Sequence, residues 1–423
     1  MEKSESPVCV PGEREQMILE RLQSTLNRAF RHVPFHQARM RELGIDPAAV
    51  RRIEDLEQLP FMERRHLSEN YPYGLFAVPL RDIVRIHTAP GIAENPTVTG
   101  YTAQDLKTWQ GIVATALGNA GVTPDDILQI SLDTGLANWG RDYQQGAESM
   151  GASVIPNTLL SLEKQLMLLR DYKTSVLVTT PSYALRLYQH LEAQNIEVRS
   201  LAIRTLILVG EAAGSLLRDR LESGLNVTTW QHYGLTEVPG PAVAFECESR
   251  NGLHVNDDHF LPEIIDPATG RVLPAGTEGE LVLTTLTTRA YPLIRFRTGD
   301  RGRILDASCA CECRLTRIDW LEGRTDDLMV ARGVKVSRSQ LESIVTDALG
   351  FAAKEMVFFV SGQQGRTYLE AWIAVDDRCF SDEIKVLENR VAAVRSRIEE
   401  DYGVPALVRL KEPPLKYFAN TTD

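Results

Sequence analysis

Two short runs of soft ligands carry the first chemistry in this chain. Cys309, Cys311 and Cys313 alternate with other residues in "CACEC", and in "CESRNGLH" Cys247 stands seven residues before His254. Thiolates and an imidazole drawn from two turns form the donor set of a tetrahedral structural zinc. The alternative is free thiols in a reducing compartment. Cys9 and Cys379 fall outside both runs and are given no chemical role.

Composition limits what such a site could serve. The chain has 423 residues, 43% hydrophobic and 24% charged, enough for a sizeable core in one large or two ordinary domains. Its 46 basic residues against 57 acidic ones leave a net charge of −11. With no basic run interleaved with aromatics, nucleic acid and anionic membranes are not expected as partners. No apolar run approaches the roughly 18 residues of a membrane span. The polar start "MEKSESPVCVPGEREQ" lacks the apolar core of a signal peptide, so a cytoplasmic location is expected.

The elements that would position the chemistry alternate between two periodicities. Residues 14–31 repeat apolar positions at helical spacing. Thr102 with Asp105 forms a capping-box pattern, which places a helix from about Ala103 toward Leu117. "DILQISL", "ASVIP", "TSVLVTT" and "IRTLILVG" read as short buried strands, with helical patterns such as "SLEKQLMLLRDY" and "PSYALRLYQHLEAQ" between them. Such alternation predicts an α/β fold with parallel sheets flanked by helices. Residues 250–322 turn to short strands and turns, a β-rich subdomain. Ser337 with Gln340 repeats the capping pattern at the start of a compact C-terminal α+β unit. The expected organisation is a flexible N-terminus over 1–15, a large domain over 16–322 and a small domain over 323–423.

"HYGLTEVPGPAVAFECE", "DDHFLPEIIDPATG", "GELVLTTLTTRAYPLIRFRTGD" and "EGRTDDLMVARGVKVSRSQLE" resemble the phenylacetate-coenzyme A ligase family, within the adenylate-forming superfamily. The resemblance runs in order from about residue 16 to 410. It implies a two-step reaction: a carboxylate attacks the α-phosphate of Mg·ATP to give an acyl-adenylate and pyrophosphate, and the thiol of CoA then displaces AMP after a mobile small domain has swung about a hinge.

The same resemblance distributes roles. Thr236 and Glu237 match the hydroxyl and carboxylate that contact the α-phosphate and Mg²⁺, a hard cation suited to oxygen. Asp300 matches the acceptor of the ribose hydroxyls, Tyr233 would flank the adenine, and Arg324 would lie near ribose and phosphate. Asp326 falls at the hinge. Gly333, Val334 and Lys335 match the turn that enters the site for the thioester step. In the acyl pocket the resemblance places Asn138 and Trp139 of "LDTGLANWGRDY", together with Tyr183, Glu211 and Gly234; the segment also brings Asp133. Trp139 reads equally well as core packing. An aromatic or heteroaromatic acid is the substrate this implies, with CoA or an acyl carrier protein thioester as the thiol species and a homodimer as the assembly. Within the cysteine run it favours Cys309 and Cys311 as the metal pair, with Cys313 extra.

Two departures from the family pattern fall on the adenylation half. Its phosphate loop is rich in Ser, Thr and Gly and ends in Lys, because small residues let backbone N–H groups reach the phosphates. Here the run reads "TAPGIAENPT". Pro90 removes a donor, Ile92 and Ala93 replace hydroxyls, Glu94 stands at a glycine position and Asn95 replaces the lysine. At the C-terminus no Gly-Lys pair appears; Lys416 is the nearest candidate for the catalytic lysine and Lys411 lies earlier still. The expectation is an acyl- or aryl-handling enzyme with weakened or lost ATP adenylation, such as a transferase accepting a preformed activated acyl group. A conventional ATP-dependent aryl-CoA ligase and a non-catalytic binding or scaffolding homologue are the alternatives.

Overall fold

The computed structural model describes residues 12–89, 95–156, 160–238, 240–306, 308–311, 313–351, 353–363, 366–374, 384–413 and 415. The fold class is α/β, with a large mixed sheet flanked by helices. The chain divides into two compact units: residues 1–126, 141–154 and 230–325, and residues 127–140, 155–229 and 326–423. The C-terminal segment therefore clusters with the parallel α/β half of the chain, and the second boundary falls between Thr325 and Asp326.

In the first unit the amphipathic helix Glu13–His32 buries Ile18, Leu22, Leu26 and Ala29, the face its three- and four-residue spacing predicts. This face joins Met40, Leu56, Leu59, Leu286 and Ile294 in one core. The helix Ala103–Asn119 starts at the expected capping box. Thr102 accepts from the Asp105 amide at 3.1 Å and Asp105 returns a carboxylate to the Thr102 amide at 2.9 Å. Asp105 also accepts the main-chain N–H groups of Arg289 and Ala290 at 2.7 and 3.1 Å. One carboxylate thereby caps a helix and fixes a distant loop.

The strands Gly240–Glu246, Leu253–Val255, Phe260–Ile265, Gly279–Thr285, Phe296–Leu305 and Arg317–Arg324 are antiparallel to their neighbours. This is the β-rich region expected over 250–322. A two-stranded ribbon, Arg85–Ala89 with Thr97–Tyr101, flanks the aligned phosphate loop. Gly100 in that ribbon sits under the Phe76 ring, where an added Cβ would come within 2.6 Å.

The second unit holds the parallel strands Ile127–Ser131, Val176–Thr179 and Thr205–Val209, with helices Leu162–Asp171, Pro181–Ala193 and Ser215–Leu225 packed through Leu166, Leu169, Leu187, Leu191, Leu221 and Leu225. Its C-terminal part contains the hairpin Leu328–Ala331 with Val334–Ser337, the helix Arg338–Leu349, and the strands Met356–Gln363, Arg366–Ala374 and Ala406–Lys411. Ser337 caps its helix by accepting from the Gln340 amide, as its position predicts.

Candidate active site and metal centre

Within the first unit, one chain of polar contacts links the nucleotide candidates. The turn after strand Thr228–Leu235 presents Thr236 and Glu237. Glu237 is 2% exposed; its Oε2 accepts from the Thr236 hydroxyl at 3.2 Å and its Oε1 from Arg64 Nε at 2.8 Å. Arg64 opens the helix Arg64–Glu69, whose entry is tightened where the Glu63 amide donates to His66 Nδ1 at 3.0 Å. Its Nη2 donates to the carbonyl oxygen of Thr298. The same oxygen accepts from Arg324 Nη2 at 2.6 Å.

Arg324 also donates to Asp300 Oδ1, and the Tyr233 hydroxyl donates to Asp300 Oδ2 at 2.8 Å. Asp300 and Arg324 are direct cross-strand partners next to a register shift between Asp300 and Gly302. Such an irregularity re-aims a side chain out of the regular ladder. Tyr233 is fully buried with the Trp320 ring edge-on at 4.8 Å. Burial and the adjacent Asp300 carboxylate both push its phenol well above the usual range. The phenol therefore stays a neutral donor.

Arg64 is the residue sequence reasoning missed. It lies in "FMERRHLSEN", which carries no motif, and its partner is 173 positions away. The only local signal was a basic residue opening a helix, where the macrodipole disfavours it.

Residues 90–94 of the aligned phosphate loop, with Pro90, Ile92, Ala93 and Glu94, lie outside the described residues, as does Lys416. Asn95 is described. Its main-chain N–H donates to the Ser68 hydroxyl at 3.2 Å and its side-chain amide to the Ser68 carbonyl at 3.3 Å. The residue aligned with the family's lysine is therefore tied to the helix that carries Arg64. Lys411 Nζ lies 2.9 Å from the centroid of the Trp372 ring, a cation–π contact.

The acyl-pocket candidates divide. Gly234 belongs to the first unit, where an added Cβ would meet the Gly240 carbonyl at 2.6 Å. The other four belong to the second unit. Trp139 and Tyr183 are buried and Asn138 is exposed. Burial raises the Glu211 carboxyl, against bonds from the Ser182 hydroxyl at 2.9 Å and the Ser182 amide at 3.1 Å. Lys335 lies on the hairpin strand Val334–Ser337 opposite Val330. Beside this hairpin, Arg186, Gln189, His190, Arg332, Thr367 and Pro405 line a cavity of about 690 Å³, within the usual size range of ligand sites.

Cys247, His254, Cys309 and Cys311 converge with their ligand atoms all within 4.8 Å of one another. Cys247 follows the strand Gly240–Glu246, and His254 is the middle residue of Leu253–Val255. The sulfurs of Cys247 and Cys309 are 3.5 Å apart, and Cys311 Sγ is 3.3 Å from His254 Nε2. Tetrahedral zinc with sulfur at about 2.3 Å sets ligand atoms roughly 3.7 Å apart, so this donor set fits the ion. The cluster joins the two sequence runs through Cys309 and Cys311, the pair that the family resemblance favours over Cys313.

A family model described as an AMP-binding enzyme matches residues 148–288, which include Tyr233 and the Thr236-Glu237 turn. The chain is 36% identical over 411 residues to a phenylacetate-coenzyme A ligase of Thermus thermophilus, covering 93% of this chain and 91% of the relative. An Escherichia coli K12 enzyme of the same name is 39% identical over 332 residues, 78% of this chain and 75% of its own length. The chain belongs to the phenylacetate-coenzyme A ligase family and is an enzyme of the acyl-CoA ligase type. Its fold matches that of a 2-hydroxyisobutyryl-CoA ligase solved with 2-HIB-AMP and CoA, with a TM-score of 0.88 at 22% identity over 100% of this chain and 93% of that one.

Proposed function

We propose that the enzyme handles an aromatic carboxylic acid as its adenylate or thioester, with ATP-dependent adenylation weakened. The observation that carries this reading is the Arg64–Glu237 pair. Glu237 aligns with the family's Mg²⁺ ligand, yet one of its oxygens already accepts from a guanidinium at 2.8 Å in a nearly solvent-free setting. With Oε1 held by that guanidinium, Glu237 would offer a divalent cation only Oε2, which already accepts from the Thr236 hydroxyl at 3.2 Å, and the neighbouring positive charge would weaken that ligand. Asn95, spent on Ser68, adds no charge for the pyrophosphate end, and a carboxylate at Glu94 would repel it.

The nucleoside end is retained. Asp300, Arg324 and Tyr233 form a rigid hydrogen-bonded set that would hold the ribose of an adenylate, with Thr236 beside the α-phosphate. Lys335 and the Gly333 turn would serve the thioester step, and Asn138, Trp139, Tyr183, Glu211 and Gly234 would surround the acyl group. The thiol species would be CoA or a carrier protein. A zinc ion held by Cys247, His254, Cys309 and Cys311 would clamp two loops of the first unit. The retained nucleoside set also favours a second reading, a conventional ATP-dependent aryl-CoA ligase.

The test pairs calorimetric titration with ATP and pyrophosphate release over a panel of aromatic acids that includes phenylacetate. Weak or absent ATP binding, with thioester formed from phenylacetyl-adenylate and CoA, is the expected result. Saturable ATP binding with acid-dependent pyrophosphate release would establish the conventional ligase instead. Failure of every acyl and nucleotide ligand to bind would favour a scaffolding role.

A further inference from the structure

The hairpin of the second unit closes on a two-residue turn. Ala331 pairs with Val334, leaving Arg332 and Gly333 as the loop, with φ of 54° and 75°. Two successive left-handed residues define a type I′ turn, whose first position favours Asn, Asp or Gly. An arginine there is held against its own preference.

What holds it belongs to the same unit. Arg332 Nη2 donates to Asp133 Oδ1 at 2.5 Å, across 199 positions of sequence. Backbone meets backbone beside this bond: a Cβ on Gly135 would lie 2.7 Å from the Gly333 carbonyl carbon and 2.8 Å from its oxygen. Leu136 is wedged between two glycines, for an added Cβ would come within 2.4 Å of its side chain at Gly333 and within 2.5 Å at Gly210. Asp133 also acts electrostatically on Tyr183 and Glu211, two of the acyl-pocket candidates. One carboxylate thus bonds to the turn and also acts through its charge on two of the acyl-pocket candidates.

We propose that Asp133 is a positioning residue that, through its ion pair with Arg332, fixes the Arg332–Gly333 turn and hence Lys335 for the thioester step. The proposal rests on the assignment of that turn to the thioester step made above. The glycines allow close approach but carry no directional bond; the ion pair supplies the direction, because a carboxylate and a planar guanidinium meet in few geometries.

Two measurements on the full chain test it. Hydrogen exchange of the Ala331–Lys335 amides needs no substrate. Asp133→Asn should raise exchange there about 10-fold by freeing local opening, while Asp133→Glu, which keeps the ion pair with the guanidinium, retains most of the protection. In single turnovers of phenylacetyl-adenylate with CoA, Asp133→Asn should lower the thioester rate about 10-fold, as a misplaced catalytic group would, with the KM for CoA within about 2-fold. The charge-reversed pair Asp133→Arg with Arg332→Asp should recover protection that either change alone loses.

Unchanged exchange and rate in Asp133→Asn would overturn the proposal, as would a raised KM with an unchanged rate. If Asp133→Asn does not fold, Asp133→Glu carries the same test, and loss of rate without loss of protection would overturn it. A wild-type enzyme that makes no thioester would overturn the role in catalysis, while exchange would still decide whether the pair holds the turn.

Discussion

Arg64 Nε donates to Oε1 of Glu237 at 2.8 Å, with the two side chains only 14% and 3% exposed. The contact joins a helix start near the N-terminus to the turn that follows the strand Thr228–Leu235. It gives Glu237 a permanent positive partner. A negative charge can then persist at that depth without a bound cation.

Removing one member should expose that dependence. Arg64→Met takes the guanidinium away from the buried Glu237 carboxylate, and unfolding stability should fall by about 3 kcal/mol, the usual consequence of breaking a buried pair from one side. The double variant Arg64→Met with Glu237→Gln should regain about half of the loss, because the uncompensated charge is gone. Urea titrations of the three proteins check this. A single variant as stable as the parent would show that Glu237 finds another compensating charge.

Asp105 performs two tasks, so its loss should exceed that of an ordinary cap. Asp105→Ala removes the bonds to Thr102 and to the amides of Arg289 and Ala290. The expected loss is about 2 to 4 kcal/mol, against roughly 1 kcal/mol for Thr102→Ala. Equal losses for the two variants would confine Asp105 to helix capping.

The buried histidines should cost stability as pH falls below 6.5, outweighing the buried Asp142 carboxyl, which burial raises to about 7 and which works the other way. Burial pushes His36 down to about 4 and His232 to about 3 from the usual 6.5, and His87 and His259 to about 4. His232 Nδ1 meets the Tyr143 hydroxyl at 2.9 Å, a neutral contact. Because these folded values lie below the unfolded one, the unfolded chain binds more protons between pH 6.5 and about 4. The contribution is fully present above pH 6.5 and is lost as pH falls toward 4, on the order of a few kcal/mol per buried imidazole. Urea midpoints measured from pH 7.5 to 4.5 should therefore fall steadily. A profile that stays flat in an Asp142→Asn background, where the opposing carboxyl is gone, would show that the histidines are hydrated in the folded protein.

Metal content decides the cysteine cluster independently of any activity. After washing with chelator, the purified protein should retain about one zinc per chain. Cys309→Ser and His254→Ala should lower both metal content and melting temperature, whereas Cys9→Ser should change neither. Stoichiometry near zero in the parent would leave the four residues as reduced thiols around a histidine.

The features readable in advance share a short range. The Thr102–Asp105 box, the helix over Glu13–His32 and the strands around Val176–Thr179 are written in spacings of two to four residues. The Cys/His cluster was readable because each of its halves is local, Cys247 with His254 and the run from Cys309 to Cys313, within which the family resemblance favoured Cys309 and Cys311. Arg64 and Glu237 have no shared local pattern, and Asp133 stood out as a residue of the acyl segment with nothing to name Arg332 as its partner. Such pairs are products of the sheet register and the packing of distant turns, so periodicity carries no trace of them. The second amide contact of Asp105 escaped for the same reason.

The Thr298 carbonyl, which accepts from both Arg64 and Arg324, has a consequence of its own. A main-chain oxygen is present whatever residue occupies the position, so no side-chain replacement at 298 can delete this junction. The end of the site around Glu237 and the end around Asp300 are therefore yoked through a peptide group. A mutational scan would register that yoke as correlated effects at Arg64 and Arg324, whereas changes at Thr298 would report its own buried hydroxyl, which donates to the Leu281 carbonyl at 2.7 Å and accepts from the Asp300 amide at 3.0 Å.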